Sequence, residues 1–149
     1  QPAKQFQQSR EVDFAVSSGL LVSREAVEKA GLFDPGFSCY YEDMDFSRRV
    51  RDSGFRIRYV PEAKLYHHER AKATPVAFYE AWGESFTRYY RRHMAPMWIK
   101  FPVHFSYLIA REVVTGHAGN VPALCRGAWQ GLHRRLGRTP TLETADSMD

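Results

Sequence analysis

Cysteine is scarce in this chain of 149 residues, which has only Cys39 and Cys125. Two cysteines this far apart give neither a disulfide framework nor a metal-binding pair, so the sequence predicts a protein of a reducing, cytoplasmic compartment. A signal peptide is also lacking, and the chain begins at Gln1 without a methionine. We therefore expect a fragment or domain of a longer protein.

Long apolar runs are missing as well. The nearest candidate, Met97 to Val114, is interrupted by charged residues, a histidine and a proline, so a membrane span is not expected. Apolar residues nevertheless make up 44% of the chain and aromatic residues 14%. That composition is enough for one modest domain with a real core, and it excludes a disordered protein.

Acidic residues are rare in the second half of the chain. Between Ser85 and Leu142 there are nine Lys and Arg residues and one acid, Glu112, within a net charge of +4 for the whole chain. This half is expected to bind anions, which could be substrate phosphates, acidic lipid head groups or nucleic acid. No nucleic-acid recognition motif accompanies the basic residues, which argues against the last of these.

The first half of the chain has the pattern of an α/β protein. Residues 1–11 are polar and predict a flexible lead-in. Short strands are predicted at Val12–Val16 and Leu20–Ser23, and Gly19 between them permits a bend or the close approach of another group. A serine-capped helix, Arg24–Ala30, is predicted to follow and to end at a glycine.

The stretch FDPGFSCYYEDMD, from Phe33 to Asp45, combines a turn, an aromatic cluster and three carboxylates where a helix from Glu42 to Ser53 is predicted to begin. Helical spacing puts Asp43, alone of the three, on the inward face of this helix. Spacing alone leaves open that all three are helix caps and solvated charges. The polar face, with internal ion pairing, is predicted to comprise Glu42, Asp45, Arg49 and Asp52.

Two further strands are predicted from the blocks FRIRYV and KLYHH, on either side of a turn at residues 61–63. In the second strand, alternation puts His67 and His68 on opposite sides. His67 is either a satisfied core residue or a metal ligand, and the pattern does not decide between the two. Asp43 and His67 fall at a helix start and a strand end, where the sites of α/β folds gather.

From residue 74 to residue 138 the pattern changes to helix. Three stretches are predicted, one following Thr74-Pro75, one spanning IKFPVHFSYLIAREVV with a break near Pro102, and one from Pro122 to Leu136. They combine aromatic side chains with Arg and Lys, which suits either a membrane interface or packing against a partner domain. Residues 139–149 are predicted to be a disordered tail.

Six motifs stand in order between residues 12 and 69. They are a glycine before a hydrophobic strand, G-L-F-D, an aromatic residue, E-D-x-D, R-x-x-x-x-G-F-x-I and P-x-A-x-L-x-H. The series resembles the C-terminal half of the catalytic domain of inverting family 2 glycosyltransferases, especially the bacterial rhamnosyltransferase-like enzymes. The resemblance implies an α/β fold, the C-terminal portion of a GT-A (Rossmann-like) nucleotide-diphospho-sugar transferase. Residues 12–73 would be its acceptor-side part, and residues 74–138 a basic extension of two or three α-helices.

The resemblance also implies a reaction, in which a sugar passes from a nucleotide-diphospho-sugar to a hydroxyl of a glycan or lipid-linked acceptor, with inversion. Such reactions belong to cell-wall or polysaccharide biosynthesis. Asp43 would be the general base that takes the proton from the acceptor hydroxyl, and Glu42 would bind the acceptor or orient the base. Asp34 and Gly19 would lie on the acceptor-binding side, with Pro35 standing where the family has Glu.

The resemblance extends to a metal and a location. His67 matches a ligand of the divalent ion, Mn²⁺ or Mg²⁺, that bridges the donor diphosphate. The basic helices resemble extensions that hold such enzymes at the inner face of the plasma membrane, which implies a cytoplasmic protein with a peripheral membrane contact and no nucleic-acid partner. The family's upstream D-x-D motif is lacking, since the only D-x-D here is Asp43-Met44-Asp45. The chain alone is therefore expected to be inactive.

Two other functions are compatible with parts of the sequence pattern. A non-catalytic module that binds anions or a membrane through its helices is the alternative. A stand-alone metal hydrolase is excluded on ligand count, because Asp43, His67 and His68 form no spaced metal motif.

Overall fold

A computed structural model describes residues 7–37, 40–68, 75–136 and 139–141. These residues form two compact units. The first, here called the α/β unit, comprises residues 7–34, 43–68 and 139–141, and the second, the helical unit, comprises residues 35–37, 40–42 and 75–136. The elements in chain order are β1 (Arg10–Val12), α1 (Arg24–Ala30), α2 (Glu42–Asp52), β2 (Ile57–Tyr59), α3 (Pro75–His93), α4 (Met97–Val114) and α5 (Val121–His133), with 3₁₀ turns at Ser17–Gly19 and Ala118–Asn120.

The helices of the α/β unit begin and end where their capping residues predict. Ser23 Oγ accepts a hydrogen bond from the Ala26 N–H at 3.2 Å, which satisfies a donor in the first turn of α1. Gly31 ends that helix with a φ of +78°, and Gly54 has a φ of +89° just after α2. The predicted turn at residues 61–63 is confirmed by the hydrogen bond from the Ala63 N–H to the Val60 carbonyl.

The sheet of this unit is smaller than predicted. β1 and β2 pair antiparallel with Val12 opposite Ile57, so the strand predicted at FRIRYV is confirmed. The strand predicted at Val12–Val16 instead occupies Arg10–Val12, which overlaps the prediction only at Val12 and takes in two residues of the predicted lead-in. The strands predicted at Leu20–Ser23 and Lys64–His68 are wrong, because those residues pair with no other strand in the described part of the chain.

A small apolar core holds the α/β unit together. Its buried members are Ala30, Phe46, Val50 and Ile57, one or two from each of α1, α2 and β2. Two further contacts tie loops to this core, since the Ala15 N–H donates to Ser47 Oγ at 3.2 Å and the Leu32 N–H donates to the Pro140 carbonyl at 2.8 Å. Pro140 lies in the predicted disordered tail, of which residues 142–149 fall outside the described residues.

The helical unit confirms the three predicted helices. α3 and α5 pack closely because glycines leave room for backbone, as a Cβ atom placed on Gly127 would come within 1.9 Å of the Glu80 carbonyl oxygen. α4 runs through Pro102 without the predicted break, although the proline has no N–H to donate to the Trp98 carbonyl. The predicted cap Thr74 lies outside the described residues. Among the described helices, none has the length and hydropathy needed to cross a bilayer.

Candidate functional site

The first turn of α2 carries the two carboxylates that the sequence singled out, Glu42 and Asp43. Asp43 is partly buried, and its Oδ1 accepts a hydrogen bond from the Met44 N–H at 2.8 Å. Its Oδ2 accepts no hydrogen bond from the described residues. A carboxylate at a helix N-terminus is also stabilised in its charged form by the helix dipole. Asp43 therefore has one oxygen held by the backbone and the other without a donor from the described residues.

Glu42 has a different environment. Its Oε2 is buried and has no hydrogen-bond partner among the described residues. A buried carboxylate oxygen without a donor is costly, typically by about 1–3 kcal/mol. A donor supplied by a bound molecule would remove that cost, so Glu42 is suited to accept a hydrogen bond from a ligand.

Asp45 is committed to structure instead. It is fully buried, and its Oδ2 receives a hydrogen bond from Arg49 Nε at 2.8 Å. Arg49 also donates to the carbonyls of Ala30 and Leu32, so the pair fixes the C-terminal end of α1. The sequence correctly predicted internal ion pairing on this stripe, but it wrongly placed Asp45 on a solvated face. Phe46, Ser47 and Val50, which share the inward face of α2 with Asp43 by helical spacing, are buried.

The two tyrosines before Glu42 have an uncommon backbone. Tyr40 and Tyr41 have φ values of +63° and +65°, a left-handed conformation that bulky residues rarely adopt unless their surroundings hold them in it. The Tyr41 ring packs against Phe86 at 5.8 Å and Tyr89 at 5.4 Å between centroids. The Tyr40 ring meets Phe78 at 5.0 Å. Contacts with α3 therefore hold the two tyrosines within the helical unit.

Burial raises the pKa of Tyr41 to about 12, with the neighbouring Tyr90 adding to the shift and a hydrogen bond with Trp82 opposing it. Tyr41 is thus a neutral anchor at ordinary pH. Sequence reasoning noted the aromatic residues of this stretch only as a cluster. The signal available in the sequence was the pair Tyr40-Tyr41, two aromatic residues directly before the acidic start of α2.

The turn at residues 35–37, just before the two tyrosines in the sequence, contacts an arginine of α3. Arg88, a buried residue of α3, stacks its guanidinium over the Phe37 ring at 5.6 Å. It also lies directly against Gly36, where an added Cβ atom would come within 2.0 Å of Arg88 Nη2. With Arg88 in this position there is no room for a side chain at position 36, so a larger residue there would have to displace the guanidinium. The sequence showed the turn but not its arginine partner, which lies fifty-two residues away in the chain.

Asp34 and Gly19, the two residues assigned to acceptor binding, both lie in the α/β unit. Asp34 is buried, with 3% of its surface exposed. Gly19 ends a 3₁₀ turn, and a Cβ atom added there would lie 3.4 Å from Leu65 Cδ2, an ordinary contact. Sterics therefore do not demand glycine at position 19, and the acceptor role of both residues stays a prediction.

His67 and His68 are exposed and lie in the irregular segment after β2. The described residues contain no group of three or more His, Cys, Asp and Glu side chains placed to hold a metal ion. A metal site built from the described residues alone is therefore not present. The metal assignment of His67 stays a prediction.

A buried polar cluster in the helical unit was not predicted. Glu112 of α4 is 2% exposed and accepts hydrogen bonds from Tyr79 at 2.7 Å and from Arg111 at 2.6 Å. Burial raises the pKa of Glu112, but these bonds, another from Asn120 and the Arg111 charge together hold the pKa below its ordinary value. Glu112, the one acidic residue between Ser85 and Leu142, is therefore charged, hydrogen-bonded and buried.

Comparison with known proteins identifies the family of this chain. Residues 3–124 match the family described as Glycosyl transferase family group 2. Two curated relatives are 38% identical to this chain over 60 residues. Both are named N-acetylglucosaminyl-diphospho-decaprenol L-rhamnosyltransferase, and they come from strains CDC 1551 / Oshkosh and ATCC 25618 / H37Rv of Mycobacterium tuberculosis. That segment is 40% of this chain and 20% of each relative, so the chain matches only about a fifth of their length.

No solved structure matches the chain. The family match, however, covers well over half of its 149 residues and includes the whole first turn of α2. The ordered motifs around Asp43 and the match over residues 3–124 agree, and the chain belongs to the glycosyltransferases of family group 2.

Proposed function

We propose that this chain is the acceptor-side part of a longer GT-A glycosyltransferase. The enzyme would transfer a sugar from a nucleotide-diphospho-sugar to a hydroxyl of a glycan or lipid-linked acceptor, with inversion. Family membership supports the reaction class. The name of the two mycobacterial relatives specifies rhamnosyl transfer and a sugar linked through diphosphate to decaprenol, which favours a lipid-linked acceptor and a role in cell-wall or polysaccharide biosynthesis.

Asp43 is the proposed general base, and one observation carries the assignment. Its Oδ1 is held by the Met44 N–H, while its Oδ2 is left open by the described residues. As the acceptor oxygen bonds to the anomeric carbon, its proton passes to the open oxygen, and the nucleoside diphosphate leaves with the electron pair of the broken bond. The hydroxyl becomes acidic only as that bond forms, so the base needs correct placement and an ionised state.

Glu42 is the proposed acceptor-binding neighbour. Its buried Oε2 lacks a donor among the described residues, and an acceptor hydroxyl would supply one. Asp34 and Gly19 are proposed on the same acceptor-binding side by family resemblance.

His67 is proposed as one ligand of an Mn²⁺ or Mg²⁺ ion whose other ligands lie outside the described residues. Such an ion would neutralise charge on the diphosphate leaving group. We expect His67→Ala in the full-length protein to raise the Mn²⁺ concentration needed for half-maximal activity, with His68→Ala as the matched control. An unchanged Mn²⁺ requirement would remove His67 from the metal site.

The decisive experiment replaces Asp43 by Asn in the full-length protein and measures turnover with nucleotide-sugar donors. We expect kcat to fall by about 10²–10⁴-fold, the usual contribution of general base catalysis. Asp52→Asn is the matched control, because Asp52 lies on the same helix, is exposed and pairs with Arg48. Equal turnover in the Asp43→Asn variant and the unaltered protein would reject the assignment and favour a non-catalytic anion-binding module.

We also propose that the 149-residue chain is inactive alone. Sugar transfer catalysed by the isolated chain would overturn that statement.

A further inference from the structure

Four side chains of the helical unit form a closed ring of contacts. Glu112 accepts hydrogen bonds from Arg111 Nη2 at 2.6 Å and from the Tyr79 hydroxyl at 2.7 Å. Both donors also meet the Trp82 ring, since Arg111 Cζ lies 5.4 Å from its centroid and the Tyr79 ring centroid lies 6.0 Å from it. Each member therefore contacts two others, which fixes the orientation of the indole. We call these four residues, Tyr79, Trp82, Arg111 and Glu112, the Trp82 clamp.

The Trp82 clamp is built around a buried charge. Glu112 is 2% exposed, and taking a carboxylate out of water costs free energy that one ion pair does not in general return. Its pair with Arg111 is therefore weak evidence for a role in stability. The geometry indicates a different role, because Arg111 donates to Glu112 through both Nε and Nη2, at 3.2 and 2.6 Å. Two donors to one carboxylate fix the plane of the guanidinium over the indole.

The fixed indole lies next to Tyr41. The Tyr41 ring packs against Phe86 and Tyr89 of α3. Trp82 is one turn before Phe86 on the same face of that helix. The Trp82 indole N–H donates a hydrogen bond to the Tyr41 hydroxyl, and both side chains pack against the same apolar core. The Trp82 clamp therefore reaches Tyr41 through one hydrogen bond.

Tyr41 is a residue that needs such support. Its φ of +65° is a left-handed conformation, which a bulky residue keeps only where the surrounding structure holds it. Tyr41 directly precedes Glu42, whose buried Oε2 has no hydrogen-bond partner among the described residues. A change in the Tyr41 backbone would move that oxygen, because one peptide bond joins the two residues.

We propose that the Trp82 clamp positions Glu42 for the acceptor by holding Tyr41. Trp82 and Glu112 are positioning residues in this arrangement, since they act through Tyr41. The inference rests on the proposed acceptor contact of Glu42 and adds no step to sugar transfer. Loss of the clamp should therefore weaken acceptor binding and leave donor binding and the chemical step unchanged.

The test measures kcat and KM of the full-length protein with a nucleotide-sugar donor and the proposed lipid-linked acceptor, shortened to a farnesyl chain so that it stays in solution. Glu42→Ala should raise the acceptor KM. Trp82→Phe keeps a ring and removes the indole N–H, and it should raise the acceptor KM about two- to tenfold, the usual effect of losing one hydrogen bond. Glu112→Gln should act in the same direction. In both clamp variants kcat and the donor KM should stay unchanged, the pattern of lost binding alone.

Double variants separate positioning from a general loosening of the helical unit. Tyr41→Phe removes only the hydroxyl, so the addition of Trp82→Phe should have no further effect on the acceptor KM. Additive effects of the two substitutions would overturn the proposal. Trp129→Phe is the matched control, because it makes the same change at a 64% exposed residue of α5. It should leave the acceptor KM as in the unaltered protein, and an equal rise in this control would also overturn the proposal.

The Glu42→Ala variant distinguishes failure of this inference from failure of the proposed function. If Glu42→Ala raises the acceptor KM and Trp82→Phe does not, the clamp has no positioning role and the acceptor contact stands. If Glu42→Ala leaves the acceptor KM unchanged, the acceptor contact itself is rejected and the inference falls with it. An unaltered full-length protein that transfers no sugar to this acceptor would reject both.

Discussion

Neighbouring carboxylates at the start of α2 have opposite environments. Asp45 is fully buried and receives its hydrogen bond from Arg49. Asp43 and Glu42 each keep an oxygen that no described residue satisfies. One carboxylate is paired within the fold, and the other two each have an oxygen left for a ligand.

The difference shows how an acidic run divides between structure and chemistry. A carboxylate that is buried and paired has its position fixed by the fold, and removing its partner or itself is costly. A carboxylate that is partly exposed at a helix N-terminus interacts with the helix dipole and does not need both oxygens for that interaction. The folding free energy should therefore depend on Asp45, and the reaction on Asp43.

Replacing Asp45 by Asn should produce the largest loss of stability in this helix. Arg49 would keep its charge in a largely buried position with its partner gone, which typically costs about 3–5 kcal/mol. Urea denaturation followed by circular dichroism measures the free energy of unfolding. Under the same conditions Asp43→Asn should change that free energy by no more than about 1 kcal/mol, the upper end of the usual helix-dipole effect at an exposed position.

Asp52→Asn is the control for this comparison. Its partner Arg48 is also four residues away in α2, but both side chains are exposed. Exposed pairs of this kind contribute about 0.3–0.5 kcal/mol, so the control should unfold almost as the unaltered chain does. Equal losses in Asp45→Asn and Asp52→Asn would show that burial of the Asp45–Arg49 pair contributes nothing.

Local signals in the sequence predicted the helices well and the environments of the α2 carboxylates in part. Ser23 and Gly31 mark the ends of α1 because capping depends on residues within one turn. Helical phase separated Asp43 from its neighbours, yet it put Asp45 on the wrong side. The fully buried Asp45 is explained by Arg49 reaching the end of α1, a contact that spacing within α2 does not contain.

Contacts between distant segments account for the rest. The residues of KLYHH alternate as a strand should, but a strand also needs a partner to accept its hydrogen bonds, and alternation does not supply one. Arg88 meets Gly36 across fifty-two residues, and Tyr41 meets Phe86 across forty-five. These pairings depend on how α3 folds back, so they became visible only in three dimensions.

Tyr41, the residue directly before Glu42, predicts a smaller effect, a free energy of unfolding that depends on pH. Burial raises the pKa of Tyr41 from an ordinary 10.0 to about 12, so the folded chain holds the phenol proton at pH values where the unfolded chain has lost it. The stability from this group is complete below pH 10 and is lost as the pH rises toward 12, by about 2 kcal/mol.

Denaturant unfolding at pH 9, 10 and 11 checks this expectation. Tyr41→Phe should flatten the fall of unfolding free energy over this range, because it leaves the ring contacts and removes the ionisable hydroxyl. Tyr107→Phe, in which the tyrosine is 65% exposed, corrects for the loss of one hydroxyl. If both variants lose stability with pH as steeply as the unaltered chain, then the buried hydroxyl of Tyr41 is not the source of the pH dependence.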